Sequence, residues 1–257
     1  MEENQVEVRQ EARENVVPWT IVDTWLGVGL LILINVGLLI VVFLFQDEAK
    51  RIAQGAGILF GELIYLLPVL AILAAKRIGF SHLGFGKFDS LTMGLGCGLI
   101  VISYPIIIAH NMLLTFLGVN TQGEAVMKMF SELKSPVWLF LTAVIVAPLV
   151  EEIFFRGFLF QGFRQRYGWI AALLLSSGIF AAAHLDPVSF IPTFVLGAVL
   201  GYVYHRSNSL WPSIILHFLN NGFAMCAMLA AIRFPEYISL VKKFIRQFNC
   251  RMNINTS

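Results

Sequence analysis

Charged residues are scarce in this chain, and their scarcity decides its solvent. Only 13% of residues are charged, 58% are hydrophobic, and the mean hydropathy is +0.77. Soluble domains carry roughly a quarter charged residues, so a soluble globular protein is excluded and a bilayer is the expected surroundings. Cysteine is equally sparse. Cys97, Cys226 and Cys250 show no CxxC spacing, which excludes a disulfide framework. Cys97 and Cys226 lie in apolar runs and are expected to be buried free thiols. The segment MEENQVEVRQEARENVVPW lacks the basic start and short apolar core of a cleavable signal, so the first apolar run is expected to stay in the mature protein. No internal repeat, low-complexity block or second domain is present. The net charge of +2 is small, and nucleic acid is not an expected partner.

Long apolar runs are what the chain has instead. Seven are long enough, or nearly so, to cross a hydrocarbon core of about 30 Å. They cover roughly residues 22–45, 57–75, 91–117, 137–165, 168–184, 188–204 and 209–232. Pro105 should kink the third. Small residues allow close helix approach in lipid, so Gly197 and Gly201 in the sixth run and Ala181, Ala182 and Ala183 in the fifth mark helix contacts. Counting Lys and Arg by loop, Lys76, Arg77, Lys87, Arg164, Arg166 and Arg206 share the side of Arg9 and Arg13. Lys50, Arg51, Lys128 and Lys134 lie opposite, which favours a cytoplasmic amino terminus. The basic tail, with the amphipathic stretch YISLVKKFIRQF, contradicts that assignment unless an eighth span or re-entrant segment intervenes.

Polar residues inside these runs are costly and are functional candidates by default. The fourth run, VAPLVEEIFFRGFLF, carries Glu151, Glu152 and Arg156. Glu152 and Arg156 are four residues apart in the favourable order for an ion pair on one helix face. That pairing reads as structural. Glu151 points about 100° away and is left without a local cation, which suits a general acid or base. At 1.5 Å per residue, Glu151 and His184 lie roughly 18 and 20 Å from one membrane surface, and His217 and Asn221 roughly 12 and 18 Å. Four polar side chains on three helices therefore reach overlapping depths.

The remaining polar intruders have plainer readings. Asn35 and Asn220 are expected in interhelical hydrogen bonds, and Glu62 at the membrane interface. His110 and Asn111 follow Pro105 and would satisfy freed backbone groups. Asp186 and Pro187 read as a turn, His82 and His205 as loop residues, and Ser176 and Ser177 as helix packing.

The ordered set EEIFFR (EExxxR), FAAAH from Phe180 to His184 (FxxxH) and HFLNN with HxxxN from His217 to Asn221 resembles the CPBP (Abi) family, which includes the type II CaaX prenyl endopeptidases. The likeness covers roughly residues 130–232. It implies an all-α polytopic membrane protein of about seven, or eight, transmembrane helices around a funnel-like intramembrane cavity, in a prokaryotic plasma membrane. The chain would divide into a polar segment (1–20), amino-terminal transmembrane helices (21–129), a catalytic core (130–232) and a basic tail (233–257). The implied activity is endopeptidase cleavage of a membrane-associated peptide or protein. Glu151 would activate water, His184 would hold and polarise it, and His217 and Asn221 would stabilise the oxyanion. Glu152 and Arg156 would be a supporting ion pair, and Phe180 would pack the motif.

No cofactor is expected. Glu151, His184 and His217 could supply the three protein ligands of an open zinc site, but there is no HExxH, and an asparagine suits an oxyanion donor better than a zinc ligand. Two rivals stand beside the enzyme. One is a non-enzymatic scaffold or bacteriocin-immunity-type protein, in which Glu151 would be replaceable by glutamine. The other is a small transporter, for which inverted repeats or paired broken helices would be expected.

Overall fold

The structure is a computed structural model that describes residues 16–48, 57–121, 123, 127 and 137–234. All seven apolar runs are helical: α1 (Ile21–Leu44), α2 (Gly57–Leu63, a 3-10 turn Ile64–Leu66, then Leu67–Lys76), α3 (Ser90–Phe116), α4 (Val137–Tyr167), α5 (Trp169–Ala183), α6 (Phe190–Ser207) and α7 (Leu210–Arg233). Among the described residues there is no strand. The chain is an all-α polytopic membrane protein.

Five helices, α1, α2, α3, α4 and α7, are long and apolar enough to cross a membrane. The other two fall short for different reasons. With 15 residues, α5 rises only about 22 Å, less than the hydrocarbon core. In α6 the last two turns carry Tyr202, Tyr204, His205 and Arg206. The tail stretch YISLVKKFIRQF, Cys250, and Lys50, Arg51, Lys128 and Lys134 lie outside the described residues. Cys97 and Cys226 are exposed, contrary to the expectation of burial. A membrane helix presents apolar side chains outwards to lipid, so an apolar run does not by itself mean an inward face.

The amino-terminal helices hold α4 from one side. Thr20 caps α1 by accepting from the Asp23 amide, and Asp23 accepts from the Thr20 amide in return, satisfying two otherwise orphaned groups. Asp23 also pairs with Lys76 Nζ at 2.9 Å, tying the start of α1 to the end of α2. Gly27 lies directly against Phe158, and Gly162 against Thr24. A side chain at either glycine would meet its neighbour, which is why these two helices come so close. Asn35 of α1 donates to Leu31 O and accepts from the Tyr65 hydroxyl of α2 at 3.0 Å. Asn220 of α7 accepts from Tyr104 of α3 at 3.4 Å. Both asparagines thus make the interhelical bonds their sequence positions suggest.

Around the other side, α5 and α6 pack closely through small residues. A Cβ on Gly197 would stand 3.1 Å from the Phe180 ring and 3.2 Å from Ser177 Cβ. Gly197→Ala is therefore expected to lower stability by about 1–3 kcal/mol through overpacking, read as a drop in melting temperature in detergent. Gly29 has nothing within 4 Å of an added Cβ, so Gly29→Ala is the matched control and should melt with the wild type. Equal melting of both variants would show that the α5–α6 contact is not close-packed.

Two details depart from the sequence reading. His205 lies in the last turn of α6, with its ring stacked on Trp169 at 4.7 Å, and is not a loop residue. His110 Nδ1 is buried without a hydrogen-bond partner, so it does not repair the backbone around Pro105. Helix α3 nevertheless runs unbroken through that proline.

Candidate functional site

Helix α4 is not regular α-helix. Two π segments, Thr142–Val146 and Glu152–Phe160, flank the α turn Ala147–Glu151. Such segments concentrate at functional sites because they shift the register of side chains along a helix. In the first, Ala147 N–H bonds to Thr142 O, five residues back. The next bond in that register would join Ala143 O to residue 148, which is proline and has no N–H. Asn221 fills the vacancy, donating Nδ2–H to Ala143 O at 2.9 Å. One proline thus links the Asn221 amide to the turn that carries Glu151.

The second π segment begins at Glu152. Residues four apart still share a face there, and Arg156 Nη1 stands 2.9 Å from Glu152 Oε1. Both side chains are buried, at 0% and 1% exposure. Arg156 also donates Nη2–H to Gly197 O at 3.1 Å and lies 4.5 Å over the Phe180 ring. The pair has a third member that the sequence reading missed. His217 donates Nδ1–H to Glu152 Oε1 at 2.9 Å, so one carboxylate oxygen joins the guanidinium to the imidazole. Contact between α4 and α7 is what creates this link, and no spacing in the sequence encodes it.

Glu151 turns the other way and meets two imidazoles. Its Oε1 lies 3.9 Å from His184 Nε2, and its Oε2 lies 3.6 Å from His217 Nε2. Each ring is held by its other nitrogen, a common way of fixing orientation and tautomer. His217 is anchored on Glu152, as above. His184 sits at the end of α5, where Leu185 takes a left-handed φ of 53° and stops the helix. There its Nδ1–H donates to Phe180 O at 2.8 Å, a carbonyl near the helix end that would otherwise lack a partner. The Phe180 ring packs edge-on to both histidines, at 4.8 and 5.9 Å.

The structure thus gathers Glu151, His184, His217, Glu152, Arg156 and Phe180 into one contact network. Asn221 joins through α4: its hydrogen bonds go to Ala143 and Asn220. A cavity of ≈ 220 Å³ opens beside the network, lined by Glu62, Tyr65, Glu151, Phe154, Phe155, Ala183 and His184. His217, 2% exposed, lies behind Glu151 and outside that lining. Glu62, expected at the membrane interface, lines this cavity. Its signal in the sequence was the same as that of Glu151, an acidic residue within an apolar run.

Zinc was the alternative at Glu151, His184 and His217. Among the described residues no group of three His, Cys, Asp or Glu side chains is arranged to hold a metal ion. The two imidazoles approach different oxygens of one carboxylate.

Fold and site together define a polytopic membrane protein in which a carboxylate, flanked by two oriented imidazoles, lines a cavity. Comparison with known proteins gives this class its relatives. Residues 133–223, which contain Glu151, His184, His217 and Asn221, match the family described as type II CAAX prenyl endopeptidase Rce1-like. The chain is 24% identical over 190 residues to YdiL of Bacillus subtilis (strain 168), whose name proposes a membrane peptidase, covering 73% of this chain and 77% of that one. It is 37% identical over 99 residues to the membrane-embedded CAAX protease MroQ of Staphylococcus aureus (strain USA300), covering 36% of this chain and 39% of MroQ. An uncharacterised 24.3 kDa protein of Escherichia coli is 31% identical over 121 residues, or 41% of this chain and 56% of its own. The match thus spans less than two thirds of the latter two relatives. No solved structure matches. Residues 133–223 thus resemble a family of membrane endopeptidases, and the apolar helices and bacterial relatives mark the chain as an integral multi-pass membrane protein of a prokaryote.

Proposed function

We propose that the chain is an intramembrane endopeptidase that cleaves a membrane-associated peptide or protein with water activated by Glu151. The observation that carries this reading is the position of Glu151 on the cavity wall, 3.9 and 3.6 Å from two oriented histidines on separate helices. A water oxygen about 2.8 Å from both a Glu151 oxygen and His184 Nε2 would span the wider gap with two contacts of ordinary hydrogen-bond length. Glu151 takes a proton from that water as the water attacks the scissile carbonyl, and His184 holds and polarises it. His217 and Asn221 stabilise the oxyanion, His217 through an Nε2–H that it carries only as the imidazolium, since its other N–H is given to Glu152. Asn221 has one Nδ2–H committed to Ala143 and a second to offer. Glu152 and Arg156 keep His217 in place. No metal takes part. Catalysis belongs to residues 130–232, with Glu62 and Tyr65 of α2 supplying the facing wall of the cavity.

Peptide termini in the membrane fraction test this reading. Cells expressing the wild type are expected to show new termini that are missing from cells with Glu151→Gln at equal expression and return on reversion. Identical terminus profiles would favour the scaffold or immunity reading instead. The name of MroQ suggests a CAAX sequence as one class to look for among the new termini; the proposal here is the broader class.

A further inference from the structure

Hydrolysis of an amide handles two protons. One leaves the attacking water, and another must reach the departing nitrogen, because an amide anion is too poor a leaving group to depart unprotonated. In the reading above, Glu151 receives the first. Four residues with exchangeable protons line the cavity: Glu62, Tyr65, Glu151 and His184. The Tyr65 hydroxyl donates to Asn35 Oδ1 at 3.0 Å. His184 donates Nδ1–H to Phe180 O and turns Nε2 towards Glu151. Glu62 alone is uncommitted: among the described residues it makes no hydrogen bond and no ion pair. It projects from the Gly57–Leu63 segment of α2, which packs against the Thr142–Glu151 stretch of α4. The apolar remainder of the lining, Phe154, Phe155 and Ala183, contains no cation to hold a second carboxylate.

We propose that Glu62 is a further catalytic residue, the proton donor to the leaving amine. This rests on the endopeptidase reading. As the water oxygen bonds to the carbonyl carbon, Glu151 accepts its proton. As the C–N bond breaks, the carboxyl proton of Glu62 moves to the nitrogen, and the free amine departs. Glu151, now protonated, returns its proton to the Glu62 carboxylate through water in the cavity. Both residues end as they began, and the net reaction consumes one water.

A pair of substrates separates this role from a merely structural one. The full chain, reconstituted in liposomes, would be given a fluorescence-quenched peptide carrying a cleavage site mapped in cells. It would also be given the depsipeptide in which the scissile amide is an ester. An alkoxide departs far more readily than an amide anion, so the ester has little need of an acid. Glu62→Gln is expected to slow the amide about 100-fold while changing the ester within about threefold. Glu62→Asp, which keeps an acid on a shorter arm, should fall between the wild type and Gln on the amide and also spare the ester. An unchanged amide rate in Glu62→Gln would overturn the proposal. So would an equal loss on both substrates, including a loss through misfolding shared by the Asp and Gln variants. Glu151→Gln reports on the underlying reading: it should slow both substrates, and unchanged rates on both would remove water activation and this proposal with it.

Discussion

Purified Glu151→Gln protein in liposomes is expected to cleave a mapped peptide about 10³-fold more slowly than the wild type, at unchanged melting temperature. That loss corresponds to about 4 kcal/mol of barrier. Its physical basis is the loss of the base. A glutamine occupies the same volume beside His184 and His217 but cannot take a proton from water. Because Glu151 is 16% exposed and lines the cavity, the exchange leaves the buried packing untouched. Removal of metal ions by a chelator should leave the wild-type rate as it was. A rate abolished by chelation and restored by zinc would replace the metal-free mechanism, and a Glu151→Gln protein of full activity would remove water activation by this residue.

The second large effect is expected on stability. Arg156→Met keeps most of the side-chain bulk but removes the cation beside Glu152, whose side chain is 0% exposed. Breaking one half of a buried ion pair typically costs about 3–5 kcal/mol, because the remaining charge stays buried without compensation. The same change removes the hydrogen bond to Gly197 O and the stack over Phe180, loosening the contact of α4 with α5 and α6. The double variant Glu152→Gln, Arg156→Met no longer buries that charge and should recover part of the loss in melting temperature. Its activity should stay low, since His217 loses the carboxylate that holds its Nδ1. Equal melting of Arg156→Met and the wild type would mean that the pair does not support the helix contact.

Much of this architecture can be read along the chain. Hydropathy marked seven helices because each run must satisfy its own backbone hydrogen bonds in lipid, and the helix is the single-segment way to do so. The rise per residue then set axial levels: of the four residues whose levels overlapped, His184 and His217 lie within 3.9 Å of Glu151, whereas Asn221 bonds to Ala143 and Asn220. The EExxxR spacing similarly foreshadowed the contact between Glu152 and Arg156, which a π turn preserves.

Other features could not be read that way. The sequence places a residue along its helix axis but says little about where it lies around the axis or which neighbour it meets. Lipid supplies no hydrophobic drive between helices, so packing is set by side-chain shape and scattered hydrogen bonds. Glu62 illustrates the limit: its position along the run gave no sign of the cavity towards which the packing of α2 on α4 turns it. Cys97 and Cys226 face outwards for the same reason. The bond from Glu152 to His217 and the repair of Ala143 by Asn221 each join residues at least 65 positions apart. Composition and spacing by themselves determined the solvent, the helices and the level at which the polar residues lie. Which of those residues touch was decided by tertiary packing, because the azimuth of a helix is fixed only by the helices against which it rests.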